Sequence, residues 1–312
     1  MKKLLLVVGV GCLSVVLLVV VAVAGTMAWA VYQARQLGDP TPTRVERTIP
    51  VRDAPAGAAA AADETLDLDI DLSEGMFTIQ PGPAGSDVRV EANYAEGYYE
   101  LVEAREPAGP SGGPRMSIVF RPAASFLVRT VNAMLSGGRG RDTSLTLSIP
   151  QDLPVDLSLR VGLGEARIDL GGLALTGLEV DLSMGNHALD FSRPVSREIA
   201  DAELQFNMGN ITVEHLGNAR IRRLDASGSM GNVQADLGGD WQSGTETELT
   251  FRQSMGELRL EVPRSLRLEV DAEGSTTGEN VIQSAEAPDD PEAPVVRVRL
   301  STSMGSSRVS RY

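Results

Sequence analysis
The sequence predicts an all-β fold, a single-stranded β-solenoid with rungs of about 22–25 residues, preceded by one N-terminal transmembrane helix. Three observations carry this. Residues Leu4 to Tyr32 form a run of 29 residues without a charge. A Met-Gly-Asn beat recurs in "LSMGNHALDF", "LQFNMGNITVEH" and "GSMGNVQADL". Around each beat aliphatic residues alternate with polar ones, and the alternation changes phase at the glycine.

The chain begins "MKK" and then turns apolar. A spanning helix needs about 20 apolar residues, and this run exceeds that. Trp29 and Tyr32 stand at its far end, where an aromatic belt is expected. Residues 1–32 are therefore read as a transmembrane anchor or a signal segment. "AVA" ending at Ala24 and "AWA" ending at Ala30 resemble peptidase sites, but the run is long for a signal peptide, which favours an uncleaved anchor. Either reading exports the rest of the chain and leaves Lys2 and Lys3 inside. Cys12 is the single cysteine, so no disulfide framework exists within one chain. It is a poor lipidation site, because Gly9 stands where a large aliphatic is usual and the residues after it stay apolar.

Residues 33–63 mix Pro, Ala, Gly and charge without an apolar period, and are expected to be a flexible linker. The β-repeat domain is placed at 64–312. It opens with Leu66, Leu68, Ile70 and Leu72, then Gly75, then Phe77 and Ile79. "SDVRVEANY", "RMSIVF" and "TSLTLSIP" alternate similarly. Between the last two, Phe126, Leu127, Val131, Met134 and Leu135 have helical spacing, which predicts a short helix around 123–136.

The marker glycines are Gly164, Gly185, Gly209, Gly231, Gly256 and Gly305, with steps of 21, 24, 22, 25 and 49 residues. The last step is about two periods, and Gly278 falls near the missing beat. Before Gly209 come Ala202, Leu204, Phe206 and Met208, all at odd offsets; after it Ile211 and Val213 stand at even offsets. A one-residue shift would put the whole apolar set on the wrong face, so each glycine must absorb it with a bulge or corner. Glycine permits the positive φ such a kink needs. On this reading Met184, Met208, Met230, Met255 and Met304 are the last inward residues before the bend and belong to the core. Met208→Ala is then expected to cost about 2–5 kcal/mol. Asn186, Asn210 and Asn232 fall on consecutive rungs about 4.8 Å apart and can form an amide ladder. Glu165 and Glu257 take the flanking places.

"LDLDIDLSEGMFTIQPGPAGSDVRVEA" followed by tandem "MGN" beats resembles the "putative-adhesin" or toast-rack β-repeat family of bacterial envelope proteins, over about residues 64–312. The resemblance implies a right-handed β-solenoid-like domain, often membrane-tethered and sometimes linked to envelope-stress systems. It brings no catalytic residues. This chain departs from the pattern in its regular "MGN" and in an insert near residues 100–140.

Composition argues against several function classes. Beyond residue 32, 26 arginines against 42 acidic residues leave a balance of −16, which disfavours nucleic acid and anionic lipid as partners. His187 and His215 lack zinc-motif spacing, and "VGLGEA" is only a fragment of a dinucleotide loop. "GGRGRDTSL" at Gly137 approaches a calcium nonapeptide once, with Arg139 and Arg141 inside it. "PDDPE" at 288–292 reads as a solvated turn. No cofactor or metal is expected, and no enzyme. The expected function is a non-catalytic structural or interaction module of the envelope, adhesin-like or stress-associated. The alternative is a glycan-binding or glycan-cleaving solenoid, which should show aromatic residues flanking acids; only Trp241 lies within the repeats. The expected location is the bacterial cell membrane, single-pass, with the C-terminal domain extracytoplasmic. Partners are expected to be the membrane and an envelope protein or second copy, engaged through an uncapped terminal edge at "RVRLSTSMGSSRVSRY".

Overall fold
The structure is a computed structural model that describes residues 2–38, 41–51, 65–106, 110, 113–135, 143–273, 280–282, 290 and 292–312. The chain divides into two compact units. One comprises Met1–Thr43, Tyr94–Glu100 and Pro122–Asp142; the other comprises Arg44–Asn93, Leu101–Arg121 and Thr143–Tyr312.

The first unit is built on two helices, α1 (Lys2–Leu37) and α2 (Phe126–Leu135). No proline interrupts α1, and the backbone of an apolar segment is best satisfied within a helix. Leu18–Leu37 is long and apolar enough to cross a membrane. The α2 backbone starts where Ser125 Oγ accepts from the Val128 N–H at 3.4 Å. Its inner face meets α1: Ala30 and Ala34 pack with Val128 and Val131, flanked by Val31, Ala124 and Leu127. Small residues on α1 let the two backbones approach.

The second unit is a 14-stranded sheet. Its strands are β1 (Pro42–Ile49), β2 (Leu66–Gly82), β3 (Val88–Ala95), β4 (Tyr99–Glu106), β5 (Arg115–Pro122), β6 (Ser144–Pro150), β7 (Pro154–Asp169) and β8 (Ala174–Asp190). They continue as β9 (Ile199–Glu214), β10 (Ile221–Asp236), β11 (Glu246–Val262), β12 (Arg267–Glu273), β13 (Asn280–Ile282) and β14 (Val295–Arg311). The order is β1-β3-β6-β2-β7-β8-β9-β10-β11-β14-β12. From β2 to β14 the seven long strands pair in parallel, as the rungs of a β-solenoid do. Each of these seven long strands continues through its glycine as one strand rather than as two separate strands.

Inward residues stack in columns. On β8, Leu178, Val180 and Leu182 are buried before the bend, and His187 and Leu189 after it. On β9 the same places hold Ala202, Leu204 and Phe206, then Ile211 and Val213. Burying each large aliphatic contributes about 1.5–3 kcal/mol, so the rungs carry the stability. Sizes are complementary between rungs. A Cβ on Gly228 would stand 2.6 Å from the Phe206 ring and 1.9 Å from Gln253 Oε1, so this glycine makes room for both neighbours.

The two ends depart from the repeat. At the N-terminal end two short strands share one rung: β5 pairs with Asp67–Leu72 of β2 and β6 with Met76–Gly82. In sequence, α2 stands between them where other rungs have their glycine. Antiparallel β3 then covers β6, and β1 lies beyond β3. The expected linker at 33–63 is therefore corrected in part: α1 extends to Leu37, and Pro42–Ile49 is a paired strand. Alternation in "TRVERTI" was too weak to reveal it. Residues 52–64 lie outside the described residues.

At the C-terminal end the strand order inverts. β14 lies between β11 and β12, and β13 also pairs with β14. The last strand is thus interior, which overturns the expectation of an uncapped edge at the chain end. Spacing reported that one rung intervenes between Gly256 and Gly305, but not that the chain folds back inside it. Tyr312 is tied in by its hydroxyl, which donates to Asp236 Oδ1 at 2.7 Å. Gly278 and residues 137–142 of the calcium-like segment lie outside the described residues.

Candidate functional surfaces
The repeat residues form three adjacent columns. The central one is Gly75, Gly164, Gly185, Gly209, Gly231, Gly256 and Gly305, paired rung to rung. Two physical demands require glycine here. In the first six φ lies between +124° and +151°, a region costly for L-residues with a Cβ. In addition, a Cβ on Gly209 would stand 1.8 Å from the carbonyl oxygen of Gly185, and the same contact recurs from Gly164 through Gly305. The carbonyl of each rung fills the place a side chain would need on the next.

On one side runs the asparagine column. Asn210 Nδ2 donates to Asn186 Oδ1 at 2.9 Å, and Asn232 Nδ2 donates to Asn210 Oδ1 at 3.0 Å. The ladder ends where the Glu257 backbone N–H donates to Asn232 Oδ1 at 3.3 Å. Its upper rungs border an open cleft of about 290 Å³ that also contains Gln234, Glu257 and Arg259.

On the other side, Leu163, Met184, Met208, Met230, Met255 and Met304 stand in register. They are not core residues. The five methionines are 38–51% exposed and Leu163 is 48% exposed. The inward columns end two residues earlier, at Leu182, Phe206, Gly228, Gln253 and Thr302, because the strand is already turning when it reaches the methionine. The result is a continuous apolar ridge. Five of the ten methionines of the chain lie in it. Period-two parity extended through the bend gave the wrong side; the polar residues before each methionine were the only sequence signal against it.

The two histidines are placed oppositely. His187 is buried between Ala166 and Ile211, and neither ring nitrogen has a hydrogen-bond partner. Burial lowers its pKa, against a weaker opposing pull from Glu165. His215 Nδ1 lies 2.8 Å from Asp190 Oδ1, and that hydrogen bond raises its pKa. Among the described residues no group of three or more His, Cys, Asp or Glu side chains could hold a metal.

Two clefts carry polar chemistry. Asp67 and Asp156 face each other across β2 and β7, beside a cleft of about 290 Å³ with Arg115, Arg160 and Glu179. Burial, and then the Asp67 charge, raise the Asp156 pKa. The pair was not singled out in sequence because it belongs to strands almost ninety residues apart. The second cleft, of about 280 Å³, holds Trp241 with Glu198, Asp240 and Glu246. The Trp241 indole donates to Leu237 O at 2.6 Å and lies against Gly217, so its orientation is fixed. Glu198 pairs with Arg222 at 2.6 Å and Glu246 with Arg297 at 2.7 Å, so both carboxylates are engaged.

Several proteins resemble this chain. A "putative cell adhesion protein" from Clostridium sporogenes is 11% identical, with 87% of this chain and 100% of that one covered at a TM-score of 0.41. A "putative adhesin" from Bacteroides fragilis is 10% identical, with 87% and 99% covered at 0.39. A "Putative lipid binding protein" from Parabacteroides distasonis is 10% identical, with 88% and 98% covered, also at 0.39. Likeness at those TM-scores decides neither fold nor function. No curated protein matches the chain. Residues 128–214, from α2 to the end of β9, match the family model of the N-terminal domain of toast_rack, DUF2154. The toast-rack resemblance read from the sequence over about residues 64–312 is thus matched by that family model over residues 128–214.

Proposed function
We propose that the protein is a non-catalytic, membrane-tethered extracytoplasmic interaction module, adhesin-like in use, whose contact surface is the methionine ridge. The observation that carries this reading is the register of six exposed apolar side chains on consecutive rungs. Solvent-facing positions of a sheet ordinarily hold polar residues, and contiguous exposed apolar surface marks interaction sites. Methionine suits such a surface, because its flexible, polarisable side chain adapts to a partner's contour. The ridge fits a protein partner presenting a complementary apolar strip. The apolar helix α1 supplies the tether, with Lys2 and Lys3 retained on the cytoplasmic side.

The test compares the full-length protein with M208S/M230S/M255S for binding to bacterial envelope fractions. The substitutions lie on an exposed ridge, so melting temperature should change little. The triple variant should lose most of its binding, and protease treatment of the fraction should abolish binding by the parent. Undiminished binding by the variant would refute the ridge as the contact surface. Binding that survives protease and is lost in W241A would favour the second reading, a glycan bound at the Trp241 cleft, where an oriented indole beside acids offers a stacking platform.

A further inference from the structure
We propose that α2 is a second membrane contact, an interfacial helix lying in the headgroup region beside the exit of α1. This rests on the reading of α1 as a membrane span. The two faces of α2 differ in kind. On its inner face Val128 and Val131 pack on Ala30 and Ala34, within one turn of Trp29 and Tyr32. Those two aromatics are 52% and 60% exposed, as residues of an interfacial belt should be. The packing therefore holds α2 at the level where a membrane span meets headgroups.

Polar groups reinforce that placement. Asn132, almost fully buried, donates from Nδ2 to the Tyr98 hydroxyl at 2.7 Å, and that hydroxyl donates to Gly38 O at the end of α1, at 2.8 Å. Arg129 donates to the Tyr99 hydroxyl at 3.1 Å and lies over the Tyr99 ring, 5.4 Å from its centroid. The one charge on α2 is thereby turned toward Tyr99 at the start of β4.

The outer face is left apolar. Phe126 and Met134 are each 76% exposed, while Thr130 and Ala133 complete the face without a charge. The Thr130 hydroxyl donates back to Phe126 O at 2.8 Å and so presents no unmet polar group. A helix of this kind buries its apolar face at the headgroup–acyl boundary. The occupant is the lipid surface, because the face continues the apolar surface of α1. The headgroup need not be anionic, since the outer face offers no cation.

The test uses the full-length protein reconstituted in phosphatidylcholine vesicles with brominated acyl chains. Two single-tryptophan forms are compared: W241F, which retains native Trp29, and W29F/W241F/F126W. Quenching should reach both indoles, with blue-shifted emission from F126W. M134W in the same background reports independently should F126W misfold, folding being checked by circular dichroism. Quenching of Trp29 without quenching at either α2 position would overturn the proposal while leaving the anchor reading intact. Absence of quenching at Trp29 as well would overturn both.

Discussion

At the scale of single residues, the repeat is decided by what each position must avoid. The glycine column has to leave room for a carbonyl oxygen, whereas the methionine beside it merely lies on a turning strand. These adjacent positions should respond very differently to substitution. Met208 is 45% exposed, so Met208→Ala should cost about 1 kcal/mol or less rather than the 2–5 kcal/mol of a core methionine. Chemical denaturation of that single variant checks the correction. His187 makes a separate prediction. Its folded pKa is depressed, so well above about pH 6.5 it is neutral in both states and adds no pH dependence there. Below that value the unfolded chain takes a proton that the fold refuses. Stability should fall as pH drops from 6.5 toward the folded pKa, by up to about 1.4 kcal/mol per pH unit. His187→Leu should flatten this slope. His215 has the opposite sign: its pairing with Asp190 stabilises the fold below pH 6.5 and fades as pH rises through the raised folded value. A denaturation series across pH 5–8 on His187→Leu and His215→Ala separates the two.

At the scale of elements, the rung was legible because its constraint is periodic. Alternation of period two names the buried face, and a one-residue phase shift names the glycine at which that face changes. The asparagine ladder followed from rung spacing alone and joins Asn186, Asn210 and Asn232 in the structure. Asn210 makes two side-chain hydrogen bonds in it, one given and one received, whereas Asn186 makes one. Each is solvent-exposed and contributes about 0.5–1 kcal/mol. Asn210→Ala should therefore cost roughly twice as much as Asn186→Ala, about 1–2 kcal/mol, measured by urea unfolding. Equal losses would show that the ladder does not act through its bonds. Where periodicity ended, so did legibility. The methionines sit at the phase shift itself, where parity has no meaning. Strand β1 is short, mostly exposed and paired with a partner that the sequence does not indicate. The Asp67–Asp156 pair depends on register between distant strands, which a single sequence does not contain.

At the scale of the whole molecule, the sequence supplied the architecture and missed the ends. The glycine spacing fixed the number of rungs but not their order, and β14 is inserted between β11 and β12. An exposed strand edge is a liability, and placing the final strand inside the sheet removes one from the chain end. Deleting Arg297–Tyr312 removes most of a strand that pairs along its length with β11 and, over Val295–Ser301 and Ser307–Val309, with β12 and β13, and that places Val298, Leu300 and Val309 in the core. The truncated protein should lose cooperative unfolding over its last rungs, with rapid hydrogen exchange in β11 and β12. Retention of slow exchange there would mean that β14 is dispensable. The rungs also set the scale of the ridge: six stacked side chains make one surface only while the register holds. Register and ridge thus depend on the same column of glycines.

The most direct measurement of that dependence is the thermal unfolding of Gly209→Val beside Met208→Ala. Gly209 has φ +134° and no room for a Cβ against Gly185 O. Strain and overpacking together should cost about 3 kcal/mol or more, lowering the melting temperature by about 6–12 °C. Met208→Ala should leave it nearly unchanged. Equal and small shifts in the two variants would contradict the account, because the glycine would then be no more necessary than its neighbour.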